Sequence, residues 1–219
     1  MPSCGSLVYP IRKLMNRKIN PFNQDTKNQS YSELLLNKQT AKWKEILDVQ
    51  APYRWNLQRL NLGFTLDIGC GIGRNLMNLK GNGIGIDHNF HSVEVCRARG
   101  FMAFTPEEFQ RSSFDEPEKF DSILLAHVAE HMSYLEVINL LNDYVYLLKN
   151  HGKLVIITPQ EAGFKSDATH VEFMNFAKLK AIARELDSKI IKQYSFPFPR
   201  IVGKLFKYNE FVSLSQKEK

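Results

Sequence analysis

The apolar positions of this chain fall into two alternating periods. From Phe64 onward, short apolar runs of strand length are separated by stretches with helical spacing. Phe64 to Asp67, Gly83 to Asp87, Phe101 to Phe104, Phe120 to Ala126 and Lys153 to Thr158 read as strands. Gly73 to Leu79, Ser92 to Arg99 and Leu135 to Lys149 read as the helices between them, the last with Ile138, Leu141, Val145 and Leu148 inward and stopped at His151-Gly152. Strands that alternate with helices in this way form parallel βαβ units. Near the end, Ala177 to Leu186 is helical, and Lys189 to Phe196 and Tyr208 to Ser215 alternate as two strands. The prolines at 197 and 199 exclude a helix interior between them and make that stretch a connection. The expected fold is α/β, a Rossmann-like doubly wound seven-stranded sheet, mostly parallel with an antiparallel C-terminal strand pair.

Ahead of this core, Ser32 to Val49 and Ala51 to Leu60 carry helical spacing, and Trp55 is assigned to the core. Residues 1–30 hold three prolines and many amides, and read as an irregular leader. Their charge is lopsided, with Arg12, Lys13, Arg17, Lys18 and Lys27 against Asp25 alone. The expected organisation is a basic leader over 1–30, N-terminal helices packed on the core over 31–60, and the α/β core over 61–219.

Composition changes little in this picture. With 219 residues and 43% hydrophobic content, the chain has enough apolar material for one ordinary domain with an appendage. No apolar run reaches the roughly 18 residues of a membrane span, and no secretory signal pattern opens the chain. Cys4, Cys70 and Cys96 are too few and scattered for a disulfide framework, so a reducing, cytoplasmic setting is expected. The net charge of +6 raises the question of a polyanionic partner, but basic runs interleaved with exposed aromatics are absent, and a nucleic-acid partner is not expected. The basic leader, with Leu7, Val8, Ile11, Leu14 and Met15 beside its cations, is compatible with peripheral contact to an anionic membrane.

The chemistry concentrates at Leu66-Asp67-Ile68-Gly69-Cys70-Gly71-Ile72-Gly73, a strand, a glycine turn and a helix start. Glycines let a ligand approach bare backbone, and the helix start offers unpaired N–H groups. A dinucleotide fingerprint would need glycine at Arg74 or Leu76, and a phosphate loop would need a Lys-Ser/Thr pair; both are missing. What remains is D-x-G-x-G-x-G followed by Gly83-Ile84-Gly85-Ile86-Asp87, whose terminal carboxylate suits ribose hydroxyls.

At these residues the chain resembles the class I S-adenosylmethionine-dependent methyltransferases, over roughly Asn61 to Phe211. The resemblance implies S-adenosylmethionine as cofactor and S-adenosylhomocysteine as product. It implies a cofactor site built from Asp67, Gly69, Cys70, Gly71, Asp87, His88, Pro106, Glu107 and His127, with Asp67 near the donor's amino group. Thr105-Pro106-Glu107-Glu108 is placed against adenine by the resemblance and is also a capping box, and the two readings are compatible. His127-Val128-Ala129-Glu130-His131 matches a zinc-peptidase pattern, but it ends a strand instead of lying within a helix, so no metal site is expected.

Candidate catalytic residues are His170 and, after it, His127, because imidazole titrates near neutral pH and can take an acceptor's proton. Tyr53, Arg54, His131, Gln160 and Arg200 are candidates for the acceptor pocket, the arginines through a phosphate or carboxylate. The function expected is methyl transfer to an oxygen or nitrogen of a small molecule or glycan precursor. Two alternatives stand beside it: a non-catalytic binding or scaffold protein recruited by the basic leader, and an RNA methyltransferase, although no N-P-P-Y or D-P-P-Y tetrapeptide is present.

Overall fold

The computed structural model describes residues 50–218. The basic leader and the first N-terminal helix lie outside the described residues.

The elements follow in the order α1 (Ala51–Arg59), β1 (Thr65–Ile68), α2 (Arg74–Asn78), β2 (Gly83–Ile86), α3 (Phe90–Ala98), β3 (Ala103–Phe104), α4 (Pro106–Phe109), β4 (Phe120–Ala126), α5 (Tyr134–Asn142), β5 (Leu148–Pro159), α6 (Glu161–Lys165), α7 (Phe176–Glu185), β6 (Ser188–Phe196) and β7 (Glu210–Lys217). Short 3-10 turns sit at Ala129–His131, Val145–Leu147 and Arg200–Lys204. The strands form one seven-stranded sheet in the order β3-β2-β1-β4-β5-β7-β6. β1 to β5 pair in parallel, and β7 runs antiparallel between β5 and β6.

Both faces of the sheet are covered, and the two-residue period shows which side chain goes where. In β4, Ile123 and Leu125 join the core formed with Val137, Leu141, Leu179 and Ile182 of α5 and α7. Leu124 and Ala126 point to the other face, where Leu57 and Leu60 of α1 and its end close over them. Each such side chain taken from water contributes about 1.5–3 kcal/mol, so the central strands are the most firmly held part of the molecule.

Three expectations change. The helix read over Leu135 to Lys149 ends at Asn142, and Leu148 is the first residue of β5, paired with Phe120. Asn142 and Asp143 are poor helix formers, and the apolar residues after them are claimed by the 3-10 turn and the sheet. His151-Gly152 therefore lies inside β5 instead of stopping a helix; His151 takes a positive φ of 60° where the β4 and β5 registers shift. Trp55 is not core but 56% exposed, stacked on Phe196 and covered by the Arg59 guanidinium at 4.5 Å. The buried face of α1 is set by Asn56, Leu57 and Leu60, which leaves Trp55 on its flank.

Candidate functional site

Strand order reverses between β1 and β4, and at such a switch point the carboxyl ends of neighbouring strands open a crevice. The glycine turn after β1 and the His127 to His131 segment after β4 meet there. The turn is wound tightly, with Gly69, Gly71 and Gly73 at φ 74°, 53° and 84°. The N–H groups of Gly69 and Cys70 both donate to the Ile86 carbonyl, at 2.7 and 3.1 Å, which ties the turn to the end of β2. A Cβ at Gly69 would sit 2.3 Å from Val128 Cγ2, so glycine is what allows the two loops to touch.

Two carboxylates anchor the turn in different ways. Asp87 is satisfied from both sides: Oδ2 accepts the Gly71 N–H and Oδ1 the Asn89 N–H, each at 2.8 Å. Asn89 in turn caps α3 by accepting from the Ser92 N–H. Beside Asp87, the His88 Nδ1 lies 3.5 Å from Oδ1. Asp67 is fully buried and only half satisfied, because Oδ1 accepts from Asn75 at 3.2 Å while Oδ2 has no partner among the described residues. Burial pushes its carboxyl up to about 7, against the opposing pull of the Asn75 bond. The Cys70 side chain faces inward, packed with Leu76, Val93, Cys96 and Ala103, so only its backbone faces the turn.

At the end of β3, the capping box read from sequence is present. Thr105 Oγ1 accepts the Glu108 N–H and Glu108 accepts the Thr105 N–H. Glu108 also receives Arg97 at 2.6 Å, whereas Glu107 stays exposed one residue after Pro106.

His127 leaves β4 with a positive φ of 59° and is gripped between two carboxylates, with Nε2 2.8 Å from Glu210 and Nδ1 3.4 Å from Glu130. Burial alone would lower its pKa, but the bonds to Glu130 and Glu210 outweigh burial and lift it to about 10. The ring is therefore a cation at neutral pH and holds the two carboxylates instead of accepting a proton. His131 and His170 come together, ring centroids 4.8 Å apart, and His170 stacks on Phe164.

The residues expected around an acceptor are more occupied than the sequence suggests. Gln160 is buried and spends its amide on the fold: Nε2 donates to Ser195 Oγ and the Glu210 carbonyl, and Oε1 accepts from Asn209. Arg200 makes a two-pronged pair with Glu161 and lies 4.8 Å over the Phe211 ring. Tyr53 donates to the Tyr208 carbonyl at 2.7 Å, and burial pushes its phenol up. Arg54 is half-buried on the same helix.

Glu210, Asn209, Asn75 and Thr169 organise this region without having been singled out. The one available signal was Glu210, an acidic residue heading an apolar strand as Asp67 and Asp87 follow theirs. The surface hollows lined by Leu57, Gly63, Lys80 and Asn82, and by Asn61, Asp121, Lys149 and Lys153, lie at the opposite, amino ends of the strands. They are shallow and lack the convergent carboxylates and imidazoles of the switch point, which is the better site on chemical grounds.

Residues 66–156 match the family model described as a methyltransferase domain. Among solved structures, the chain is similar to a SAM dependent methyltransferase from Archaeoglobus fulgidus, with 19% identity, a TM-score of 0.64, and 84% of this chain and 99% of the other covered. It is also similar to magnesium protoporphyrin IX methyltransferase from Synechocystis PCC 6803 with bound SAH, at 12% identity and TM-score 0.63, covering 89% and 97%. A third similar structure is the N-methyltransferase NodS from Bradyrhizobium japonicum WM9, at 14% identity and TM-score 0.57, covering 76% and 95%. No curated protein matches the sequence significantly.

Proposed function

We propose that this chain, an S-adenosylmethionine-dependent methyltransferase by its domain and its fold, moves the donor's methyl group onto an oxygen or nitrogen of a small-molecule or glycan-type acceptor. The observation that carries the reading is the Oδ2 of Asp67 beneath the glycine turn, buried and without a partner among the described residues. A buried carboxylate without a partner is costly, and a ligand that brings a cation removes the cost. S-adenosylmethionine brings an ammonium and a sulfonium, and Asp67 would take the ammonium. Asp87 holds the turn in shape and keeps lone pairs for ribose hydroxyls, while the backbone at Gly69, Cys70 and Gly71 passes beside the donor. His88, Pro106 and Glu107 line the nucleoside end.

When bound, S-adenosylmethionine supplies a methyl carbon on a positively charged sulfur. Held by Asp67, Asp87 and the backbone of the glycine turn, it would offer that carbon for in-line displacement from sulfur by an acceptor lone pair, with S-adenosylhomocysteine as the leaving group and the acceptor's proton passing to a nearby base. The protein's share is mostly alignment, which for a positioned pair of reactants is worth several kcal/mol. His127, held as a cation by Glu130 and Glu210, shapes the donor's methyl end without taking a proton. His170 has the proton-accepting role, since its Nδ1 is bonded to the Phe164 carbonyl and its Nε2 keeps the lone pair. Tyr53, Arg54, His131, Gln160 and Arg200 frame that side, Gln160 and Arg200 by bracing it.

The choice of a small acceptor over RNA rests on the sequence, which carries no N-P-P-Y or D-P-P-Y tetrapeptide of the base-flipping type. Calorimetry with S-adenosylhomocysteine tests the donor: no heat and no thermal shift on folded protein would overturn it. Incubation with methyl-labelled donor, comparing small metabolites with total RNA, tests the acceptor; greater label in RNA would overturn the small-molecule reading.

A further inference from the structure

Glu130, His131 and His170 meet where the 3-10 turn after β4 touches the loop after α6, with one donor atom from each within 4.8 Å of the others. The hydrogen bonds of the two rings fix their tautomers. His170 Nδ1 lies 2.7 Å from the Phe164 carbonyl oxygen, which can only accept, so Nδ1 carries the proton and Nε2 keeps the lone pair. His131 Nδ1 faces the Thr169 carbonyl at 3.2 Å and Thr169 Oγ1 at 3.1 Å. That hydroxyl already donates to Asp167, so it too accepts, and His131 likewise presents a bare Nε2. A ring N–H held by a backbone carbonyl is how proteins orient imidazoles for a metal.

An independent observation comes from the acid. Glu130 is 1% exposed, and its Oε2 has no partner among the described residues, although Oε1 is within reach of His127. A buried carboxylate and two imidazoles thus meet with one donor atom from each within 4.8 Å of the others, beside the His127 ring that lies 3.4 Å from Glu130 Oε1.

We propose that Glu130, His131 and His170 bind one divalent transition-metal ion of the zinc type, through a carboxylate oxygen and two Nε2 atoms. Two nitrogens and one oxygen suit Zn²⁺ or Co²⁺ and do not suit Mg²⁺ or Ca²⁺. Bonds of about 2.0–2.1 Å place tetrahedral donors about 3.3 Å apart, so the three close in by rotamer adjustments on binding. His131 and His170 are half-buried, so the site opens to solvent and leaves a coordination position for water or an acceptor oxygen. The H-x-x-E-H sequence takes part differently from a peptidase: His127 is held by Glu210, and the second imidazole comes from the distant loop. This goes beyond the methyl-transfer reading and does not depend on it, except that a metal-bound His170 serves as ligand and not as base.

The full chain, stripped with chelator and dialysed, is titrated with Co²⁺ and then Zn²⁺, read by visible absorption and thermal melting. One ion per chain is expected, with a rise in Tm. His131→Ala and His170→Ala each weaken binding at least about tenfold, the scale on which even supporting residues of metal sites act, while His91→Ala leaves it unchanged. X-ray absorption on the zinc-loaded parent needs no variant and should report two imidazoles, oxygen and no sulfur. Absence of binding overturns the proposal. So does a sulfur ligand or a single imidazole, or binding that survives in both well-folded histidine variants. Calorimetry with S-adenosylhomocysteine on the stripped protein reads the donor site separately.

Discussion

Asp67 is the residue at which stability and function pull apart. Its carboxyl titrates at about 7 in the folded chain against 3.8 for the free group, so between those values the folded state binds the proton that the unfolded state has lost. Stability contributed by the protonated acid is present at low pH and lost as pH rises through about 7. Thermal melts of the ligand-free protein should therefore fall in Tm between pH 4 and 7, and Asp67→Asn should flatten that dependence and melt higher at pH 7.5. The same substitution should weaken S-adenosylhomocysteine binding. In the parent, only the ionised acid meets an ammonium, so affinity should rise about tenfold per pH unit below 7 and level off above it. An affinity flat across that range would remove Asp67 from the donor site. Asp87 behaves differently because its oxygens already serve Gly71 and Asn89. Asp87→Ala should abolish measurable S-adenosylhomocysteine binding and cost about 1–3 kcal/mol by leaving buried donors unpaired, partly offset by losing a buried charge. Chemical denaturation alongside calorimetry separates the two effects.

At the scale of an element, the glycine turn is set as much by what crosses it as by its ligand. Gly69→Ala combines a left-handed backbone with a contact at 2.3 Å from Val128, at a cost of about 2–4 kcal/mol. Adding Val128→Ala should return the steric part and leave the backbone part, which a double-mutant cycle by urea denaturation reads directly. The turn was legible in the sequence because its chemistry is contiguous: strand, glycines and Asp87 lie within one βαβ unit. β4 was legible to its ends, since Phe120 opens it, Ile123 to Ala126 is apolar on both faces and nothing local competes. The end of α5 was not, because Leu148 belongs to the sheet through Phe120, a partner that helical periodicity cannot reveal. For the same reason the state of His127 and Gln160 was hidden. What occupies them are Glu210, Asn209 and Ser195, brought across by the register of β5, β7 and β6.

The whole molecule is a sheet whose stability is graded from centre to edge. β1, β4 and β5 are flanked on both sides and buried on both faces, whereas β3 is a two-residue edge and β6 is an edge with exposed lysines. Hydrogen exchange should show slowest amides in β1, β4 and the Leu154 to Ile157 part of β5, and fastest strand amides in β3 and β6. Protection highest in β6 would contradict this ordering. Among the described residues no helix is long and apolar enough to cross a membrane. One feature of the topology reaches back to the chain's synthesis. β7 lies between β5 and β6 yet follows both in sequence, so a growing polypeptide leaves the ribosome with two unpaired strand edges facing a gap. Neither can be satisfied until β7, Glu210–Lys217, has emerged, and in that interval both are templates for the wrong neighbour. The segment that supplies Glu210 to His127 is therefore also the one that ends the nascent chain's exposure, and a ribosome stalled before it would display an adhesive, half-closed sheet.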